Sequence, residues 1–135
     1  MELADTSAWT SKHKSASIES NFQSRIVEDE IATCPMVVME LLWTTRSPGE
    51  FLELRDDLGA LPQVPIDART WARAIDVWQL LVEDGRHRQA KIADFLVAAA
   101  AEIGGITVCH YDADFDAIAS VTGQAVRAIA PLGTL

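Results

Sequence analysis

Two acidic side chains of this sequence lie inside apolar helical segments, where an ionised carboxylate is costly to bury. Glu40 lies within Met36–Trp43, and no basic residue stands three or four positions from it. Asp94 begins the apolar segment 94–101, where it can also cap a helix and pair with Lys91. The structural alternative for Glu40 is a place at the edge of a buried face, with its carboxylate in water. If these structural explanations do not apply, both acids indicate a site that holds a cation.

Two further acids follow predicted strands. Asp5 comes directly after Glu2–Ala4. Asp112 comes shortly after Ile106–Cys109, and Asp114 stands beside it. Ligands of open parallel α/β sheets bind at the carboxyl ends of the strands, so these acids are expected at one edge. Each aspartate can also cap the helix that follows it, and capping is compatible with metal binding.

Together the sequence offers up to five carboxylates for one pocket: Asp5, Glu40, Asp94, Asp112 and Asp114. Like charges this close raise one another's pKa, so such a pocket requires a bound cation. Oxygen ligands without imidazole suit Mg²⁺ or Mn²⁺. Proteins use these ions on phosphates, where they activate water or stabilise the leaving oxygen. The acids therefore predict metal-dependent chemistry at a phosphate group.

The elements that must position these acids alternate between strands and helices. Strands are predicted at 2–4, 106–109 and 125–129, with 32–34 as a strand or a connection. After a brief first helix near Ala8, helices are predicted at 17–31, 36–46, 50–58, 68–84, 91–103 and 114–121. The inward face of the helix capped by Asp67 is predicted to comprise Trp71, Ala74, Ile75, Trp78, Leu81 and Val82. This alternation predicts an α/β fold, with a central parallel sheet and helices on both faces.

The size and composition indicate one domain, residues 1–135, and argue against disorder. The net charge of −9 argues against a protein that binds nucleic acid through a broad basic surface. Without the five candidate acids, 15 acidic and 11 basic residues remain, a balance of −4 that is ordinary for a protein surface.

The compartment is predicted from what the chain lacks. The first residues have neither the basic nor the apolar region of a signal peptide, and no apolar stretch approaches the roughly 20 residues of a membrane span. Cys34 and Cys109 have no metal-binding spacing and are expected to be buried as small apolar residues. We therefore expect a cytoplasmic protein that does not contact a membrane.

The motifs in this order resemble a known family. They are Asp5-Thr6-Ser7-Ala8-Trp9, Glu40-Leu41-Leu42, Asp94 in an alanine-rich helix, and the segment His110–Asp116 after a late strand. Over essentially the whole chain they are similar to the PIN-domain ribonucleases, and more narrowly to the VapC toxins of bacterial type II toxin–antitoxin systems. The resemblance implies the PIN-domain fold in a prokaryotic protein.

The resemblance also implies an activity and its residues. It implies an Mg²⁺- or Mn²⁺-dependent endoribonuclease that cleaves structured RNA, commonly tRNA or ribosomal RNA, to arrest growth. Asp5 and Asp94 would be the principal metal ligands. Glu40, Asp112 and Asp114 would complete the catalytic pocket directly or through water. Thr6 or Ser7 would orient Asp5 by hydrogen bonding.

Partners follow from the same resemblance. It implies a homodimer that a cognate VapB antitoxin neutralises, and a larger toxin–antitoxin assembly that contacts operator DNA only through the antitoxin. Basic residues near the acidic motifs are candidate contacts to RNA phosphates, with ordinary surface charge as the alternative. These candidates are Lys12, Lys14, Arg86, Arg88 and Lys91.

An alternative from another functional class remains open at this stage. The chain could be a binding module of the same fold, acting mainly through its antitoxin in operon autoregulation, with little nuclease activity. The exposed part of 17–30 and the segment 50–61 are predicted to form a groove for an antitoxin helix. The enzyme interpretation is favoured because binding alone would not require acids at Glu40 and Asp94.

Overall fold

Four short strands form a parallel sheet at the centre of the structure, a computed structural model that describes residues 1–135. They are β1 (Glu2–Ala4), β2 (Ile31–Ala32), β3 (Thr107–His110) and β4 (Val126–Ala128), in the order β2-β1-β3-β4. Leu3 pairs with Ala32 on one side and with Val108 on the other. The two strands that precede Asp5 and Asp112 are therefore direct neighbours.

Seven helices connect and flank these strands. They are α1 (Thr6–Ser11), α2 (Ala16–Val27), α3 (Pro35–Trp43), α4 (Pro48–Gly59), α5 (Ala68–Glu83), α6 (Ile92–Gly104) and α7 (Ala113–Thr122), with a 3₁₀ turn at Lys12–Lys14. The predicted parallel α/β architecture is confirmed. None of these helices combines the length and the apolar character needed to span a bilayer.

Two predicted helices end earlier in the structure. The helix predicted at 17–31 stops at Val27, because Asp29 adopts a left-handed backbone with φ of 55° and Ile31 already belongs to β2. The helix predicted at 36–46 stops at Trp43, where the hydroxyl of Thr44 donates to the Leu41 carbonyl. In the first case apolar spacing continues to Ile31 past the break in the backbone, whereas in the second the residues after Trp43 are polar.

The predicted inward face of α5 is right at Ala74 and Leu81 and wrong at its other four residues. Its buried residues are Thr70, Ala74, Val77 and Leu81, whereas Trp71, Ile75, Trp78 and Val82 are exposed. Apolar residues cover more of this helix than one stripe, so their spacing does not fix which stripe faces inward. Packing against α6 and α7 selects the stripe with the smaller side chains and leaves two tryptophans at the surface.

The centre of the core is α6, in which every residue from Phe95 to Ala101 is buried. This helix packs on β1, β3, α3, α5 and α7. Its small alanines permit close approach of these elements, so its first turn is held rigidly beside the sheet. Cys34 and Cys109 are free thiols in the buried interior, as predicted.

The acidic start of β1 is held by two arginines. Glu2 is buried, accepts hydrogen bonds from Arg127 at 2.7 and 2.8 Å, and is ion-paired with Arg25. Burial opposes the charge, but the two guanidinium groups outweigh it and keep the pKa of Glu2 below its ordinary value. This network ties α2 and β4 to the strand that ends at Asp5.

Candidate functional site

Adjacent strands bring Asp5 and Asp112 to the same edge of the sheet. Ala4 pairs with Cys109 in register, and the Asp5 N–H donates to the Cys109 carbonyl at 2.9 Å. Asp5 caps α1, and Asp112 caps α7 by accepting from the Asp114 N–H at 2.9 Å. Each aspartate therefore begins a helix where its strand ends, as the sequence predicts.

The tightest group of carboxylates consists of Asp94, Asp112 and Asp114, whose oxygens all lie within 4.8 Å of one another. Asp94 is only 4% exposed. It lies in the first turn of α6, where its Oδ2 accepts the Lys91 N–H at 3.0 Å, the half of a capping box that the side chain at the third helical position supplies. The helix start and the acidic site are thus built by one side chain.

Asp5 and Glu40 lie outside that tight group, but their charges act on the same pocket. Glu40, on α3, accepts a hydrogen bond from the Thr6 hydroxyl at 2.9 Å. The Ser7 N–H donates to Asp5 Oδ2 at 2.9 Å, and the Ser7 hydroxyl accepts the Tyr111 N–H at 2.9 Å. Of the two predicted supporting residues, Ser7 thus contacts Asp5, whereas the Thr6 side chain orients Glu40.

The electrostatics of the site are those of crowded and buried acids. Burial raises the pKa of Asp94 to about 7, and it outweighs the lowering by Lys91, while the hydrogen bond with Asp114 and the charge of Asp5 raise the pKa further. Burial also raises the pKa of Asp5 and of Glu40, each reinforced by a neighbouring carboxylate. Burial opposes the charge of Asp114 too, but hydrogen bonds from Lys91 and Asp94 keep its pKa below the ordinary value. When Asp94 carries its proton, it can therefore donate a hydrogen bond to ionised Asp114.

These residues fit a hard divalent cation. Asp94, Asp112 and Asp114 supply three carboxylate oxygens at close spacing, and Asp5 and Glu40 add negative charge beside them. No histidine or cysteine belongs to the close group. An all-oxygen donor set is the one that Mg²⁺ and Mn²⁺ prefer.

The predicted RNA contacts fall into two groups. Lys14 and Arg88 are exposed and form no ion pair, and Lys91 is 70% exposed beside the acids. By contrast, Lys12 is buried and ion-paired with Glu19, and Arg86 is held by Asp84 and by the Ser120 hydroxyl on α7. Lys14 and Arg88 are therefore free to meet a phosphate, whereas Lys12 and Arg86 are already engaged and Lys91 is paired with the site acids.

One residue at the site was not singled out by sequence reasoning. His110, the last residue of β3, is fully buried, and its Nδ1 accepts the Asp112 N–H at 3.1 Å. Its Nε2 has no hydrogen-bond partner and lies 3.7 Å from Asp116. Burial lowers its pKa, so the ring is neutral and fixes the turn before Asp112. The sequence does offer a signal for this histidine, because it stands two residues before the predicted site acid Asp112.

Two surface features lie away from the acids. A groove of about 550 Å³ runs between α2 and α4 and is lined by Trp9, Gln23, Ile26, Asp29, Leu54, Asp57, Leu58, Ala60 and Leu61. A smaller, wholly apolar pocket of about 190 Å³ lies between α5 and the start of α6, around Trp71, Ile75, Trp78 and Ile92. The first is where the sequence predicts a groove for a partner helix.

The Thr6–Glu40 hydrogen bond yields a stability prediction. We expect Thr6→Val to lower the free energy of unfolding by about 1 kcal/mol, because a half-buried carboxylate loses its donor. Thr10→Val on the same helix is the matched control, since its exposed hydroxyl makes only a 3.4 Å contact with Ser7. Urea denaturation measures both variants, and equal losses would show that the hydrogen bond contributes nothing.

Comparison with known proteins finds a family model and relatives that match this chain. Residues 3–121 match the family model described as the PIN domain. The chain is 38% identical to Ribonuclease VapC18 of Mycobacterium tuberculosis, in an alignment that covers 97% of this chain and 96% of that protein. It is also 38% identical to Ribonuclease VapC51 of the same organism, over 78% of this chain and 76% of that protein.

A solved structure shares the fold. A chain in the crystal structure of DNA-bound VapBC from Salmonella typhimurium matches with a TM-score of 0.74, covering 96% of this chain and all of that chain. The sequence identity of that pair is 17%, so the match concerns the arrangement of helices and strands.

Proposed function

Because this chain belongs to the PIN-domain family, together with the VapC ribonucleases, we propose that it is a toxin–antitoxin ribonuclease dependent on Mg²⁺ or Mn²⁺. The observation that carries this proposal is the group of Asp94, Asp112 and Asp114 at the edge of the sheet, with Asp5 and Glu40 beside it. Such an arrangement is self-repelling unless a cation occupies it. A binding module has no need of it.

We propose that Asp94, Asp112 and Asp114 hold the cation directly and that Asp5 is a neighbouring ligand. Their close oxygens support this assignment, which gives Asp112 and Asp114 a larger share than the sequence predicts. When bound there, Mg²⁺ or Mn²⁺ supplies Lewis-acid stabilisation of the charge that develops on the scissile phosphate.

The remaining residues position the reacting groups. Ser7 fixes Asp5 and the turn at Tyr111, and Thr6 fixes Glu40. Glu40 lies outside the proposed ligand set, and burial raises its pKa, which suits a carboxylate that accepts a proton from attacking water. This arrangement supports hydrolysis of an RNA phosphodiester.

The substrate is proposed to be structured RNA, either tRNA or ribosomal RNA. The exposed cations Lys14, Arg88 and Lys91 are the proposed phosphate contacts. Because so few basic residues are free on a chain of net charge −9, binding should depend on the cation in the pocket. Sequencing of the 5′ ends of RNA fragments after induced expression would identify the substrate and the cleavage position.

A cognate VapB-type antitoxin is the proposed inhibitor, and its helix is proposed to occupy the α2–α4 groove. Six of the nine residues that line the groove are apolar, and Asp29 and Asp57 are among the polar ones. It therefore suits an amphipathic helix with basic flanks. The exposed apolar face of α5 is the proposed homodimer contact, and DNA would be reached only through the antitoxin.

The groove proposal predicts an effect of charge at its base. Leu54→Arg should weaken the complex with the antitoxin at least about ten-fold, because a long charged side chain replaces an apolar contact in the groove. Leu52→Arg is the control, since Leu52 is on the same helix, is 62% exposed and does not line the groove. Dissociation constants of the purified complexes measure the effect, and equal values for both variants would place the antitoxin elsewhere.

The activity itself is tested by single-turnover RNA cleavage with Mg²⁺ or Mn²⁺, compared with the same reaction in chelator. Cleavage that requires the metal supports the proposal. A wild-type protein that binds its antitoxin tightly yet cleaves no RNA would favour the binding module instead.

A further inference from the structure

One basic side chain lies among the site carboxylates. The Lys91 ammonium is 2.9 Å from Asp114 Oδ2, 3.6 Å from Asp94 Oδ2 and 3.6 Å from Asp112 Oδ2. No other lysine or arginine forms an ion pair with these three acids. A single positive charge therefore contacts the same three side chains that form the closest group of possible metal ligands.

The backbone of Lys91 is anchored independently of this ammonium. Its N–H donates to Asp94 Oδ2, and this contact, not the side chain, completes the N-terminal cap of α6. The side chain is 70% exposed although it makes three ion pairs. It can therefore leave the acids without breaking the helix start and without exposing buried apolar surface.

A divalent cation and this ammonium cannot share the pocket as the structure arranges it. Mg²⁺ ligands lie at about 2.0–2.1 Å from the ion. The ammonium already takes one oxygen of each acid, and two positive groups held by the same carboxylates repel each other strongly. One of them must withdraw.

We propose that Lys91 is a built-in counter-cation of the acidic pocket, which neutralises the pocket in the metal-free protein and withdraws when a divalent cation enters. The inference rests on the proposed metal-dependent function of the same site. It gives Lys91 a regulatory role, because competition from this side chain sets the metal concentration at which the pocket fills. The ammonium also limits repulsion among the acids before that point.

Metal binding to charge-matched variants tests the proposal. The full-length protein is titrated with MnCl₂ by calorimetry at pH 7.5 as wild type, Lys91→Met, Lys91→Arg and Lys14→Met. We expect Lys91→Met to bind Mn²⁺ at least about ten-fold more tightly than wild type, because the competing charge is gone. Lys91→Arg should stay within about three-fold of wild type, since it keeps the positive charge.

Lys14→Met controls for the change in net charge, because Lys14 is exposed and forms no ion pair. It should bind Mn²⁺ as the wild type does. Equal or weaker Mn²⁺ binding by Lys91→Met, beside normal binding by the wild type, would overturn the role of Lys91 and leave the metal site intact. Absence of binding in every variant would overturn the metal site as well.

Thermal unfolding supplies a second measurement. In chelator, Lys91→Met should unfold at a lower temperature than Lys14→Met, because three carboxylates lose their common partner. Saturating MnCl₂ should then raise its unfolding temperature by more than that of the wild type, since tighter binding stabilises the folded state further. Equal metal-induced rises in Lys91→Met and wild type would contradict competition.

Discussion

Asp94→Asn and Asp5→Asn are each expected to slow single-turnover RNA cleavage by at least about 100-fold. Losses of this size are typical when a group that holds or supports a catalytic metal is removed. Asp94 is the buried member of the closest carboxylate group, and Asp5 adjoins it at the end of β1. Asparagine keeps the shape and the capping oxygen but removes the negative charge. The fold should therefore survive while the affinity for the cation falls.

Asp56→Asn is the matched control for this comparison. Asp56 is exposed on α4, forms no ion pair and has no part in the acidic group. The three variants carry the same change of charge, so a loss confined to Asp5→Asn and Asp94→Asn assigns the effect to the pocket. Cleavage by Asp94→Asn at the wild-type rate in Mg²⁺ and in Mn²⁺ would show that the reaction occurs elsewhere.

The same substitution should stabilise the protein when metal is removed. In chelator at pH 8, Asp94→Asn is expected to unfold about 5–10 °C above the wild type, because the folded wild type must ionise a buried carboxyl. At pH 5 the difference should be smaller, because the folded carboxyl keeps its proton there and only the unfolded one ionises. Saturating Mn²⁺ at pH 8 should reverse the order, because only the wild type retains the complete set of acids.

The sign of this effect follows from the direction of the pKa shift. The pKa of Asp94 is raised from 3.8 to about 7 in the folded protein, chiefly by burial. The stabilising contribution of its proton is therefore fully present below pH 3.8 and is lost as the pH rises through about 7. Asp5 and Glu40 act in the same direction.

His110 acts in the opposite direction. Because burial lowers its pKa, the folded protein loses stability as the pH falls below 6.5, where the unfolded chain binds a proton at this histidine. The difference between wild type and Asp94→Asn isolates the carboxyl from this histidine, since both proteins contain it. Melting curves in chelator from pH 5 to pH 8 measure that difference. A constant difference across the range would show that Asp94 titrates like an exposed acid.

These expectations describe a site that destabilises its own fold in the absence of a cation. Burial of Asp94 beside Asp112 and Asp114 is unfavourable at neutral pH, and Lys91 relieves only part of it. Residues that optimise function at a cost in stability are common at catalytic sites. The pairing of lost activity with gained stability in Asp94→Asn distinguishes such a site from a structural cluster.

Much of the local structure is predictable from the sequence. Asp5, Ser47, Asp67 and Asp112 cap the helices that follow them, and Gly85, with φ of 73°, follows the end of α5. These features depend on neighbouring residues alone, so spacing and residue type suffice. The parallel sheet follows from the alternation of strands and helices, which leaves few other topologies.

The sequence by itself determined which residues are acidic, which of them follow strands, and that Glu40 and Asp94 lie in apolar helices. Only the tertiary structure decided that Asp112 and Asp114 are the closest partners of Asp94, that Lys91 lies among them, and that the tryptophans of α5 face outward. The reason is physical. Periodicity fixes a helix's faces, but its rotation and its distance from a strand end depend on side chains far away in the chain, which meet only when the core packs.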